Sequence, residues 1–286
     1  MEQAVAKVEG GALALTQSQA QAQVQGLVIS DVIIPRMLLM QGTSDFVKER
    51  KAQLGDMVKS TTLEAFGSPE KPIAFIPLKL PSGSWIREVK PKGTDKGRWE
   101  FRGIEPRNAG NDTLPWRFAA DKDGKEVTEG SNVHTHEGRR VKSLSAYVIL
   151  PSDIDAEAAE LAKAARGEFP DLSKALTPVL VAFRSTSFPA GKEISTFFTQ
   201  ASRFKQPAWK YQIELACHME ANDQGSFYVF DVNRNVPKPV KPEHLPEVEK
   251  WANIVSSQDL KVDTSNEEGD IDEASGPTQV GGKQAF

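Results

Sequence analysis

The side chains of this chain best suited to chemistry are basic and aromatic residues that interleave in three stretches. "LKLPSGSWIREVKPKGTDKGRWEFRG" carries Trp85, Arg87, Lys90, Lys92, Arg98, Trp99, Phe101 and Arg102. "FRSTSFPAGK" adds Lys192, and "SRFKQPAWKYQ" adds Arg203, Trp209, Lys210 and Tyr211. A single nucleic-acid strand is held by cations along its phosphates and by flat side chains under its bases, each stack contributing roughly 1–3 kcal/mol whatever the base. Trp85, Trp99, Phe101 and Trp209 are the candidate stacking residues. Arg87, Lys90, Lys92, Arg98, Arg102, Lys192, Arg203 and Lys210 are the candidate phosphate contacts. The competing account of any such tryptophan is a core ring with a lysine stem lying along it. That account is the stronger one for Trp209 and Tyr211, which alternate with polar residues on what reads as a strand. Trp99 and Phe101, inside a polar basic stretch, fit binding better.

Other chemistries find little support. The Gly191-Lys192 pair in "FPAGKEIS" invites a phosphate-loop reading, but that loop needs G-x-x-x-x-G-K-[ST]. Thr186 stands where the first glycine should be, and Glu193 follows the lysine. A helix N-terminus is the plainer account, and its free N–H groups with Lys192 suit a phosphate of a strand. His134 and His136 share one side of an extended segment, yet zinc asks for three or four ligands and the chain's one cysteine, Cys217, is distant. His218 and His244 stand singly. No Ser-His-Asp order and no nucleophile elbow occur. The acids of "DIDAEAAE" suit the first turn of a helix. The expectation is a binding protein without catalytic residues, metal or cofactor.

The elements that must position these residues read as α+β. "LVISDVIIPRMLLMQ" is a strand interrupted at Pro35, and "SDFVKERKAQLG" a short helix capped by Ser44 and stopped at Gly55. "DMVKSTT", "KPIAFIPLKLP" and "SGSWIREVK" are strands. Ile73, Phe75 and Leu80 are core candidates, and Pro77 argues for an edge or a bulge. Residues 91–140 are polar, turn-rich and studded with aromatics, a long insertion of the kind usually kept for function. "SLSAYVILP" and "TPVLVAFRSTS" are strands, and "SDIDAEAAELAKAARGEF" is a helix capped at Ser152 or Asp153 and ended by Gly167. A second helix runs from about Ala190 with Ile194, Phe197, Phe198 and Ala201 on one face. "AWKYQIELACHMEANDQGSFYVFDVN" is a hairpin turning at "ANDQG". "PEHLPEVEKWANIVSS" is the last helix. The expected fold is an antiparallel, oligonucleotide-binding-like β-barrel with a few helices, spanning residues 27–257. An Ala/Gln-rich segment precedes it over 1–26, and an acidic tail follows over 258–286.

The formal charge of −4 hides an asymmetry. From Asp259 onward seven acids and two lysines give −5, leaving the body at +1. Glu267, Glu268, Asp270, Asp272 and Glu273 form an acidic run, and the last residue is Phe286. A segment of this composition does not bury enough apolar surface to offset its ordering entropy. One cysteine excludes an intramolecular disulfide and suits a reducing cytoplasm. No stretch reaches the roughly 18 apolar residues of a membrane helix, and the first residues lack the basic and apolar regions of a signal peptide.

The landmarks "IPRMLLMQ", "KAQLGDMVKS", "PIAFIPL", "SWIREVK", "SAYVILP", "VAFRSTSFPAGKEISTFF", "WKYQIEL" and "GSFYVFDV" occur in that order over residues 27–235. In this the chain resembles tailed-phage single-stranded DNA-binding proteins of oligonucleotide-binding-fold type. The resemblance implies a non-enzymatic protein of phage replication and recombination, in the host cytoplasm, coating single strands with weak base selectivity. It also implies a role for the tail. The acids would compete with DNA for the cationic groove, and Phe286 would dock on a phage recombinase, polymerase or helicase. "PTQVGGKQAF" separates acids from aromatic here and includes Lys283. A phage structural or assembly protein and a strand-annealing mediator are the alternatives.

Overall fold

Alternating apolar residues build the centre of this fold. The computed structural model describes residues 33–42, 44–89, 100–106, 117–120, 134–137, 139–222, 225–257 and 261–262. Chain order begins with β1 (Ile33–Ile34), β2 (Arg36–Leu39), α1 (Asp45–Lys48), β3 (Met57–Lys59), β4 (Ala65–Gly67) and β5 (Ile73–Pro77). Next come β6 (Ser82–Val89), β7 (Glu100–Pro106), β8 (Arg117–Ala120), β9 (His134–Glu137) and β10 (Arg139–Ile149). Then follow α2 (Pro151–Ala165), β11 (Val179–Arg184), α3 (Phe188–Arg203), β12 (Tyr211–Asn222), β13 (Gly225–Pro239), α4 (Leu245–Ser257) and β14 (Lys261–Val262).

The mixed α+β architecture centres on a curled sheet that forms a half-barrel. Its strands run in the order β13-β12-β5-β10-β11-β2-β3-β4, while β6 pairs β10 and carries β7. The pairing is antiparallel except between β11 and β2, where Leu180 and Val181 run alongside Arg36 and Met37. The expected all-antiparallel sheet is corrected there: after α2 the chain returns as β11 between β10 and β2, antiparallel to the one and parallel to the other. β14 pairs β1 in parallel, so Lys261 and Val262 of the expected tail join a small sheet.

The two faces of the sheet bury different sets of residues, as the period of two requires. On the inner face Met37, Phe75, Ala146, Val148, Val181, Phe183, Ile213 and Leu215 meet Ala190, Ile194, Phe197 and Ala201 of α3 in one cluster. The helix α3 lies against β10, β11 and β13 of this sheet. On the outer face Ile76, Leu78 and Ile149 pack against Ile154 of α2 and Val248, Ala252 and Val255 of α4. Burying one such large side chain contributes about 1.5–3 kcal/mol.

Local chemistry explains where elements differ from expectation. α1 is a single turn because Arg50, at φ 59°, takes a left-handed conformation that ends it. α2 starts at Pro151, whose fixed φ suits the first helical position, so Leu150 occupies the cap and neither Ser152 nor Asp153 does. It ends as expected at Gly167, which has φ 80° and donates to the Ala164 carbonyl. β5 is internal, flanked by β10 and β12, and Pro77 is tolerated as its last residue. Ile73 and Phe75 are buried, but Leu80 lies beyond the strand and is 54% exposed, while Leu78 takes the buried place. The hairpin of β12 and β13 agrees with its alternation: Ile213, Leu215 and Cys217 are buried, Glu214 and His218 exposed.

Candidate nucleic-acid interface

The first basic-aromatic stretch falls on a ribbon that leaves the half-barrel. The eleven residues of β10 outrun the six of β11, and the excess length pairs with β6. Register sets Lys142 across from Trp85 and Arg140 across from Arg87. On the other side of β6, Glu105 faces Trp85 and Gly103 faces Arg87. Facing residues of an antiparallel pair share a face, as do residues two apart. Positions 85, 87, 140 and 142 therefore belong to one face of the ribbon. A bulge follows Arg87, and Arg102 is the residue of β7 without a register partner there, beside Phe101 opposite Glu88.

Trp85 is not an open stacking platform. It is 5% exposed, and Lys142 holds its Nζ 5.5 Å from the ring centroid. This corrects the expectation: the indole is a core ring beneath a lysine, and a base has no face to reach. Lys90, Lys92, Arg98 and Trp99 lie outside the described residues, as do Glu267, Glu268, Asp270, Asp272, Glu273 and Phe286.

Lys192 belongs to the start of α3. The helix begins at Phe188, so Gly191 is already inside it, over the sheet. A Cβ on Gly191 would stand 2.9 Å from Leu144 Cβ and 3.0 Å from Phe183 Cβ. The glycine is thus explained by close helix–sheet approach, and Lys192 is an exposed neighbour whose Nζ lies 5.2 Å from the Phe188 ring centroid.

The opposite end of α3 gathers more. Arg203 ends the helix, exposed, beside an open groove of about 590 Å³. Phe197, Phe204 and Tyr211 supply its apolar lining, and Arg203 and Arg234 its cations. Phe197 and Tyr211 meet edge to face, with centroids 6.2 Å apart and planes at 86°. Phe204 is 79% exposed. Arg234 of β13 donates from Nε to Glu193 Oε2 and from Nη1 to Gln200 Oε1 at 3.2 Å. Trp209 sits in a 3₁₀ turn, Ala208–Lys210, and not on the strand. Half-buried, it packs on the outer-face cluster, with Lys210 Nζ 5.9 Å from its ring centroid. The core account of Trp209 holds, with a different element supplying the position. Sequence reasoning passed over Phe204, Arg234, Arg140 and Lys142. Phe204 lay inside a quoted basic-aromatic stretch, whereas Arg234 is 31 positions from Arg203 and reaches it only through the hairpin.

Three titratable groups elsewhere, Cys217, His244 and His218, have structural partners. Cys217 is buried, its Sγ donates to the Gly55 carbonyl at 3.1 Å, and desolvation pushes the thiol up to about 11. A thiol in that state is a poor nucleophile. His244, 3% exposed, has Nε2 2.7 Å from Asp155 Oδ1 and ties the start of α4 to α2. His218 pairs with Glu220, and His134 and His136 are residues of β9. Among the described residues no three His, Cys, Asp or Glu side chains form a group suited to a metal, and no helix is long and apolar enough to cross a membrane. Compared with known proteins, the chain matches no family model, no curated protein and no solved structure.

Proposed function

We propose that this protein binds single-stranded DNA, as a non-catalytic coat of phage replication and recombination, with its half-barrel a variant of the oligonucleotide-binding fold. The observation that carries the reading is the register of β6 on β10, which sets Arg140 opposite Arg87 and Lys142 two positions along. Like charges facing each other across a strand pair repel. An arrangement of that kind suits an anion laid along the ribbon, and a phosphate backbone is such an anion. In sequence, the 91–140 segment adds Lys92, Arg98 and Trp99 of the same composition. The acidic residues Glu267–Glu273 would compete for these cations, and Phe286 would engage a partner protein of replication or recombination.

The test is fluorescence anisotropy of a labelled oligo-dT at two salt concentrations with wild type and the double variant Arg140→Glu, Lys142→Glu. For single strands log K falls with log salt by about 0.7 per phosphate contact. Losing two contacts should flatten the slope by about 1.4 and weaken binding. An unchanged slope and affinity would remove the ribbon from the interface.

A further inference from the structure

We propose that the groove at the C-terminal end of α3 is a pocket for one nucleotide of the bound strand, its base against Phe204 and Tyr211 and its phosphate on Arg203. This rests on the strand-binding reading and gives it a site that the ribbon does not supply. The lining holds three aromatic rings, two guanidinium groups and neutral amides, and no carboxylate. Flat rings are what a base stacks on. A guanidinium offers a planar fork of donors suited to phosphate. Gln206 and Asn235, also in the lining, each carry a donor and an acceptor of the kind a base edge pairs with.

A helix C-terminus ordinarily repels an anion, because its last carbonyls are left open. Here three of the last four, those of Gln200, Ala201 and Ser202, accept hydrogen bonds. The N–H of Phe204 donates to the carbonyls of Gln200 and Ala201, that of Lys205 to Ser202, and that of Gln206 to Ala201. Arg203 and Lys205 then add two positive charges at the same end. Lys205 adopts φ 55°, a left-handed conformation uncommon for a residue with a side chain. It turns the chain directly after Phe204, which stands 79% exposed while Phe197 beneath it is 5% exposed. Arg234 is already fixed by Glu193 and Gln200, so the wall it forms needs no reordering when a ligand enters.

The experiment uses the full chain and an oligo-dT carrying a single 5-iodouracil, photo-crosslinked and mapped by mass spectrometry, beside anisotropy titrations of Phe204→Ala, Phe204→Trp and Arg203→Glu. Crosslinks to Phe204 or Tyr211 are expected. Phe204→Ala should weaken binding about 5- to 150-fold, the factor that corresponds to one lost stack. Phe204→Trp should bind as wild type, and all three variants should keep the wild-type Tm. If wild type binds with the usual salt dependence while crosslinks map elsewhere and Phe204→Ala binds equally well, the pocket assignment is overturned and strand binding stands. If wild type binds no DNA, both fall. A groove that ignores DNA but takes up a labelled peptide of residues 265–286, with loss on Phe204→Ala, belongs to a peptide and overturns the nucleotide assignment.

Discussion

Replacing Gln41 with alanine should loosen the curl of the sheet. Gln41 follows β2 and is 5% exposed. Its Nε2 donates to the Tyr228 carbonyl at 2.8 Å, and its Oε1 accepts from the Tyr228 N–H at 2.9 Å. Tyr228 lies on β13, the last strand of the order, whose outer backbone groups have no further strand to pair with among the described residues. One side chain thus does for residue 228 what another strand would do, and Ser187 does the same for the Phe230 N–H at 3.0 Å. Alanine removes both partners of Tyr228 at once. Leaving a buried polar group unsatisfied costs about 1–3 kcal/mol, so two cost about 2–5 kcal/mol in this partly buried setting. For a domain of this size about 2–4 °C of Tm goes with each kcal/mol, which gives a fall of roughly 4–20 °C. Thermal melts and hydrogen exchange at the Tyr228 amide read the effect directly. Gln41→Glu separates the two bonds: its carboxylate still accepts from the N–H but sets an oxygen against the carbonyl. If Gln41→Ala melts with wild type and the Tyr228 amide keeps its protection, the clasp does not hold the curl.

The same structure leads to three further outcomes. Trp85→Ala should destabilise by about 3–5 kcal/mol in urea unfolding, as for a core aromatic, and loss of DNA affinity without loss of stability would contradict its burial. The His244 hydrogen bond, then those of Lys241, holds the Asp155 carboxyl below its ordinary 3.8, with burial opposing them. A depressed carboxylate contributes stability above its unfolded value and loses it as pH falls through the folded one, so Asp155→Asn should flatten the acid limb below about pH 4 in pH-dependent unfolding. Cys217 should resist a thiol reagent at pH 8 in the native protein and react once urea unfolds it; fast native labelling would mean that the β12 strand opens.

Elements with strong local signals were legible in the sequence, and sites assembled across distance were not. The β12–β13 hairpin shows because each buried residue, Ile213, Leu215 and Cys217, alternates with a polar one. The C-terminus of α2 shows because Gly167 alone suits the left-handed position there. Ser152 misled as a cap because Pro151 fits the first helical turn better. Leu80 misled because apolar character alone does not say where a strand stops, and the strand stops at Pro77. Trp85 looked like a binding residue because its neighbours in sequence are charged, whereas burial is decided across the sheet, where Lys142 covers it. The groove at the end of α3 escaped because Arg203 and Arg234 meet only when the hairpin folds back. The pairing of Arg140 with Arg87 escaped because residue types alone do not reveal register.

The central claim is strand binding, and titration of labelled oligo-dT tests it most directly. Full-length protein and a truncation ending at Ser265, which keeps β14, are compared at two salt concentrations by fluorescence anisotropy. Binding should weaken with salt and tighten when the acidic run Glu267–Glu273 is removed. No binding by either form at low salt would contradict it, and would turn attention to a structural or assembly role.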